Sequence, residues 1–319
     1  MREKEYRTYG GIFLICALFL CGGARQQPAV KGEITGYDDF GRKIVLDRAP
    51  ERVVVISASP IDAIFEMGAG DKIVGVPDGI SRSYPQTCKQ YPSLLERPQV
   101  GGFSNPNLER IISLNPDLII CYDSKDTPGK YSKTFKKMGL VYAVFTTPEG
   151  VDSGLRQIER LGVLLGKKEE AKALVKRLKL RIEEVVSQIS PQTKSRPLIY
   201  FWWGTGNLTY GKRAAINELI ELAGGINLAA KFNRQYLELS PEYVLSKNPE
   251  VILITYWQEK DRELRVAELK SRPGFSQVKA VKNNRIYTID GHCFQTPVLF
   301  AEALCKLAEF IHPELIKGK

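Results

Sequence analysis

Histidine is nearly absent from this 319-residue chain: there are two, His292 and His312. Hydrolytic metal sites and much acid–base machinery draw on clustered histidines. A metal-dependent hydrolase therefore has little to be built from. Of the six cysteines, Cys16 and Cys21 lie in an N-terminal apolar segment. That leaves Cys88, Cys121, Cys293 and Cys305, with no Cys-x-x-Cys pair. Metal-site spacing is absent, and these thiols read as small buried groups or as one opportunistic disulfide. Beyond residue 24 no apolar run is long enough to span a bilayer. No block of one charge occurs either. The net charge is +10, but Lys and Arg are spread along the chain. Their densest region, residues 167–181, also carries Glu169 and Glu170 and reads as a solvated helix face. That distribution argues against nucleic acid as a partner. Residues 206–213 nearly match a P-loop, but Arg213 stands where a magnesium-binding Ser or Thr belongs, so nucleotide binding is not expected.

What is present begins with an export signal. Arg2, Lys4 and Arg7 precede an apolar segment, residues 12–21, followed by the small residues Gly22, Gly23 and Ala24. Two processing routes stand open: lipid modification at Cys21, with Leu18 three residues before it, or cleavage after Ala24. Leu20 departs from the small residue that usually precedes a lipidated cysteine. The mature protein is expected outside the cytoplasm, periplasmic or on the outer face of the cell membrane. At this length, with 43% hydrophobic and 26% charged residues, two globular units are expected.

One unit of sequence occurs twice. Residues 107–120 read as a short helix, an Asn-Pro stop and a buried strand: Asn115-Pro116 ends the helix and Leu118-Ile119-Ile120 is continuously apolar. Residues 240–254 repeat the pattern 133 positions later, with Glu109 matched by Glu242, Ser113 by Ser246, Asn115 by Asn248 and Pro116 by Pro249. Similar βαβ units share such features, but the register held over fifteen positions points to two alike α/β lobes. The first half reads β-α-β-loop-α-β-α-β, a parallel sheet with right-handed crossovers, in which residues 81–104 form a long irregular segment. Two apolar stripes follow, over residues 155–165 and 171–189. The second helix, residues 167–190, would run on the order of 30 Å and stiffly connect the lobes. The second half restarts at the strand 198–203, continues through a loop at 204–211, and closes with a helix at 298–311. The expected organisation is a signal over residues 1–24, an N-terminal lobe over 25–150, a helical region over 151–190 and a C-terminal lobe over 191–319. The fold class is α/β: two Rossmann-like lobes with parallel central sheets, joined by one long helix, with a ligand cleft between them.

In parallel sheets ligands sit outside the carboxyl ends of the strands. Those ends collect Ser57, Ser59, Asp78, Tyr122, Asp123 and Thr146 in the first half, and Trp202, Trp203, Tyr256, Trp257, His292 and Phe294 in the second. Phe103 and Tyr210 lie in the loops beside them. All three tryptophans fall in the second half, which suits a large, flat, partly apolar ligand held by stacking. Because adjacent strand residues face opposite sides, at most one of Trp202 and Trp203 meets the ligand squarely. His292 has two readings: a ligand to the iron or cobalt of a bound chelate, or polar wall. Glu109 and Glu242 sit in the first turns of matched helices, where the helix dipole stabilises a carboxylate whatever its role.

These motifs carry a resemblance: Arg52-Val53-Val54-Val55, Val100-Gly101-Gly102, Asn107-Leu108-Glu109 with Leu114 to Ile120, Ala223-Gly224-Gly225-Ile226-Asn227, and Ser240-Pro241-Glu242 with Asn248-Pro249-Glu250. In this order the chain resembles the substrate-binding proteins of ABC importers for ferric siderophores, haem and cobalamin, the class with a rigid helix between lobes. The resemblance implies no catalysis and no intrinsic cofactor. It also implies a metal chelate in the cleft, small lobe motion, and docking of Glu109 and Glu242 on arginines of an ABC permease dimer. A monomer is expected. An iron chelate, siderophore or haem, is the first expectation, since net positive charge suits anionic chelates. Cobalamin is the second, and an exported metal-dependent hydrolase is the rival from another class.

Overall fold

The computed structural model describes residues 32–57, 59–102, 105–122, 130–189 and 195–313. The signal with Cys21, and Phe103 and Asp123 in the expected site, fall outside them. Two separate four-stranded parallel sheets form. The first runs Ile73–Gly75, Val53–Val55, Leu118–Tyr122, Tyr142–Phe145. The second runs Ile226–Asn227, Leu198–Trp202, Val251–Tyr256, Ile286–Asp290. In both, the second strand in sequence lies outside the first, and the third and fourth follow on the other side. This shared order is what the doubled sequence unit predicts.

The repeat is kept in atomic detail. Asn107 Oδ1 accepts from the Arg110 N–H and caps the Leu108–Ser113 helix; Ser240 Oγ accepts from the Tyr243 N–H and caps Pro241–Lys247. Ser113 donates to the Arg110 carbonyl, and Ser246 donates to that of Tyr243. Both helices end through a left-handed asparagine, Asn115 at φ 44° and Asn248 at φ 48°. Asparagine tolerates that region better than other residues with a Cβ, and the following proline prevents helix continuation. Each turn drops the chain into its sheet's third strand.

Strand alternation then divides the core. Val53, Val55, Leu118 and Ile120 of the first sheet, with Ile199, Phe201, Val251 and Leu253 of the second, belong to one continuous buried cluster. Val54 and Ile119 pack on the outer face of the first sheet, and Tyr200, Trp202, Ile252 and Ile254 on that of the second. The shared cluster is completed by the helices Val151–Leu164, Lys168–Ile189 and Phe300–Ile311. The long helix has 22 residues, about 33 Å of rise. It packs its Ala171, Leu174, Leu178, Ile182 and Val185 stripe against its two neighbours.

Two segments differ from the sequence reading. Residues 81–104 are not irregular throughout: Ile80–Ser83 and Pro85–Gln90 are α-helical, and Pro92–Glu96 is a 3-10 turn. These pieces are too short to show a helical period. Leu208–Tyr210, expected as loop, is a strand paired antiparallel with Tyr236–Glu238. Three residues carry no alternation signal, and the partner lies far along the chain.

The left-handed turns make a stability prediction. Asn115→Ala should cost about 1 kcal/mol, because a Cβ disfavours that region, whereas Asn115→Gly should be near neutral. Urea unfolding midpoints of the two variants check it, and equal losses would show that backbone conformation is not what Asn115 serves.

Candidate functional site

The carboxyl ends of the two sheets face each other across a cleft of about 590 Å3, within the usual range for a small-molecule site. The first lobe contributes Ser57, Ser59, Asp78, Tyr84, Tyr122 and Thr146; the second contributes Trp203, Tyr236, Trp257 and Gln295. Gln157, Ile158 and Leu161, from the Val151–Leu164 helix, also line it. This helix was read from sequence only as part of the connector; it also lines the site.

The aromatic wall has two layers. Trp203 stacks on Tyr210 at 4.8 Å between ring centroids, meets Tyr236 edge-on at 5.2 Å and lies tilted to Trp257 at 5.5 Å. Behind them Phe201, Tyr210 and Phe294 pack edge to face at 5.1 to 5.3 Å. The front layer is half-buried and lines the cleft, while the back layer is core. Tyr210 and Phe294, expected at the ligand, therefore support the wall from behind. Burial pushes the Tyr210 hydroxyl well above its ordinary value. Gly291 permits this packing: a Cβ there would sit 2.7 Å from the Trp257 ring.

Trp202 is a further correction. It is fully buried on the outer face of the second sheet, its Nε1–H donates to the Gly206 carbonyl at 3.0 Å, and the Arg272 guanidinium covers its ring at 4.2 Å. Alternation along the strand turns Trp203 to the opposite, cleft side. Tyr256 and His292 also lie off the main cleft and line a second cavity beside it. After its strand the chain tightens into a 3-10 turn, Gly291–Phe294, in which the His292 N–H is capped by Asp290. His292 Nδ1 is held 2.6 Å from Asp290 Oδ1, with the ring packed between Tyr84 and Trp257. Burial alone would raise the Asp290 pKa, but the hydrogen bonds and charge of His292 hold it below the usual value. Ser59, Tyr122, Trp203 and Trp257 do converge on the cleft.

Sequence reasoning missed Tyr84, Gln157, Tyr236 and Gln295. Tyr84 lay inside the long segment 81–104, and Tyr236 on a strand that no periodicity announced. Gln157 is fixed by the N-terminal hairpin of Ile34–Tyr37 with Lys43–Leu46. Asp39 Oδ2 in its turn accepts from the Thr146 N–H at 2.9 Å and from the Gln157 side chain. Asp38, fully buried, accepts from the Val144 N–H and pairs with Arg42. The hairpin thus braces two cleft residues.

The lobes are stitched beside the cleft. Ser59 Oγ donates to the Gln295 carbonyl at 2.9 Å, Arg213 pairs with Glu149 at 2.7 Å, and Glu218 Oε2 accepts from the Val151 N–H at 2.8 Å. These contacts and the shared core oppose wide hinge opening.

A protein-family model described as "Periplasmic binding protein" matches residues 53–292. The chain belongs to that family. It is a substrate-binding protein of the ABC-importer kind. Over 318 residues it is 25% identical to the uncharacterised ABC transporter substrate-binding lipoprotein YvrC of Bacillus subtilis (strain 168), covering 95% of this chain and 96% of that protein. It is 28% identical over 225 residues to a cobalamin-binding protein of Halobacterium salinarum, covering 69% of this chain and 58% of that protein. The crystal structure of the TroA-like periplasmic binding protein FepB from Veillonella parvula superposes with a TM-score of 0.69 at 26% identity, covering 90% of this chain and 92% of that one. These relatives are transport proteins rather than enzymes. Among the described residues no three His, Cys, Asp or Glu side chains gather to hold a metal ion. None of the described helices is long and apolar enough to cross a membrane.

Glu109 and Glu242 are both exposed, each in the first turn of its capped helix. Cys88, Cys121 and Cys293 are buried and Cys305 half-buried, and no disulfide joins them among the described residues. Burial pushes the Cys293 thiol up to about 12.

Asp62 is a buried carboxyl at the lobe seam, 4% exposed. Burial raises its pKa from 3.8 to about 6, against the hydrogen bond from Thr87 Oγ1 and the charge of His292. A raised folded pKa favours the folded state at pH below about 4, and that advantage is lost as pH rises through about 6. At pH 8 the ionised group costs on the order of 3 kcal/mol relative to its acid form. Asp62→Asn should therefore raise the thermal midpoint at pH 8 and not at pH 4. A gain of the same size at both pH values would refute the assignment.

Proposed function

We propose that the protein captures a metal chelate of the siderophore, haem or cobalamin class outside the cytoplasm and hands it to an ABC permease dimer. The observation that carries this reading is the aromatic wall of Trp203, Trp257 and Tyr236 facing the first lobe's hydroxyls across one cleft. Such a wall grips a broad apolar face by stacking, while Ser57, Ser59, Thr146, Thr147 and Gln157 supply hydrogen bonds at its edge. In this reading the protein's own residues bind and orient the chelate.

The chemistry of the lining narrows the class. Among the described residues that line the cleft there is one carboxylate, Asp78, and no Lys or Arg. None of the described lining residues contributes a positive charge to the +10 net charge, so the expectation that it suits an anionic chelate finds no support among them. Among the described lining residues, polyanionic chelates and the carboxylates of haem meet no counter-charge. A chelate with an uncharged, amide-rich or apolar periphery fits better, a corrinoid ahead of a neutral siderophore. The cobalamin-binding relative supports the same choice. Delivery would use Glu109 and Glu242, exposed and equivalent on the two lobes, as acidic docking points for permease arginines. Attachment through Cys21 rests on the signal's sequence and on the lipoprotein relative.

Quenching of tryptophan fluorescence against a panel of corrinoids, siderophores and haem tests the reading. Micromolar or tighter binding of a neutral chelate is expected, and no binding by any member refutes it. Trp203→Ala should weaken that binding at least tenfold, the loss typical of a buried aromatic anchor. The double variant Glu109→Ala, Glu242→Ala should abolish uptake by cells and leave the affinity intact; loss of affinity in parallel would remove the docking role.

A further inference from the structure

A second cavity of about 580 Å3 lies beside the main cleft and, like it, is walled by both lobes. Tyr84 lines both cavities. Its ring meets His292 at 4.4 Å, and His292 meets Trp257 at 5.1 Å, so these three side chains form the partition. The two spaces differ in chemistry. The main cleft is mostly apolar and, among the described residues, without cations. The second is lined by Gln86, Lys89 and Gln90 of the Pro85–Gln90 helix, and by Asp290, Glu302 and Lys306 opposite.

The charges of the second cavity are unevenly satisfied. Asp290 is held by His292 at 2.6 Å, and Glu302 by Lys306 at 2.7 Å. Lys89 is exposed and has no ion-pair partner among the described residues. Both carboxylates are engaged and the Gln90 amide donates to the Tyr91 hydroxyl at 2.8 Å, so among the described residues an incoming group finds the Lys89 ammonium and the Gln86 amide. That set recognises an acidic, strongly hydrogen-bonding group. A ligand made of one disc would fill the main cleft and leave the second cavity to water.

We propose that the two cavities together form one site for a two-part chelate, whose flat metallated disc lies on Trp203 and Trp257 and whose polar, acid-bearing tail passes Tyr84 to reach Lys89. The inference deepens the chelate-binding reading and rests on it. It makes Lys89 and Gln86 determinants of the tail, separate from the aromatic grip on the disc. Among metal chelates, a corrinoid carrying a phosphodiester-linked nucleotide has this division.

Two probes differing only in the tail test it: complete cobalamin and cobinamide, the same macrocycle without its nucleotide. The protein should bind cobalamin at least tenfold more tightly. Lys89→Glu, which reverses the free charge, and Gln86→Trp, which fills the cavity, should each weaken cobalamin about tenfold and leave cobinamide within twofold. Unchanged thermal midpoints would establish that both variants fold. Equal affinity for the two probes, or equal weakening of both by the variants, would overturn the two-part site while leaving the chelate-binding reading intact. Binding of tail-less chelates alone would overturn it too. If no chelate of any kind bound, the broader reading itself would fall and this one with it.

Discussion

Apolar contact between the bridging helices and the inner faces of both sheets sets everything else. The stripe on Lys168–Ile189 and the apolar face of Val151–Leu164 are buried in the same cluster as Val55, Ile120, Phe201 and Leu253. A close-packed core of this kind has few alternative arrangements. It holds the two sets of strand ends at a fixed separation, and the cleft is the space that separation leaves. Opening the lobes widely would expose part of that cluster to water, at about 25 cal/mol for every Å2 of apolar surface uncovered. The hydrogen bond from Ser59 to the Gln295 carbonyl and the Arg213–Glu149 pair add to this but do not cause it.

Given that frame, the wall of the cleft follows from strand alternation. The Leu198–Trp202 strand sends Phe201 inward and Trp202 outward, and Trp203 leaves the strand on the cleft side. Phe201, Tyr210 and Phe294 then form a rigid backing for Trp203, Tyr236 and Trp257. A pre-set aromatic surface loses little side-chain freedom on binding, which is how a protein with restricted lobe motion can still hold a ligand firmly. Placing Asp62 and His292 at the seam has the opposite character. A buried carboxyl raised toward neutrality costs stability, and the charge it keeps faces the same histidine that separates the two cavities.

Much of the fold could be read from the chain. The unit beginning at Asn107 and again at Ser240 announced two alike lobes because caps, left-handed asparagines and proline stops are local devices with local signatures. The long helix was legible for the same reason: its apolar stripe keeps the helical period over many turns. Part of the site followed by topology alone, since strand ends in parallel sheets face the ligand, and Ser59, Tyr122, Trp203 and Trp257 do line the cleft. The reading failed where position depends on what a loop does after leaving its strand. His292 and Phe294 sit in a tight turn that folds back under Trp257, so strand-end logic misplaced both. Tyr84 and Tyr236 were missed because short helices and a long-range strand pair carry no period.

The amino-acid sequence by itself determined the two lobes, their strand content and the long connecting helix, because each is encoded in local patterns repeated along the chain; the class of transport protein entered through the resemblance that the ordered motifs carry. Only the tertiary structure decided which aromatic lines the cleft and which supports it from behind, that Val151–Leu164 lines the cleft, that the cleft lining is without cations among the described residues despite the net positive charge, and that a second, polar cavity adjoins the first. Those properties belong to surfaces assembled from residues more than a hundred positions apart, such as Tyr84 and His292, and no local pattern specifies which of them will meet.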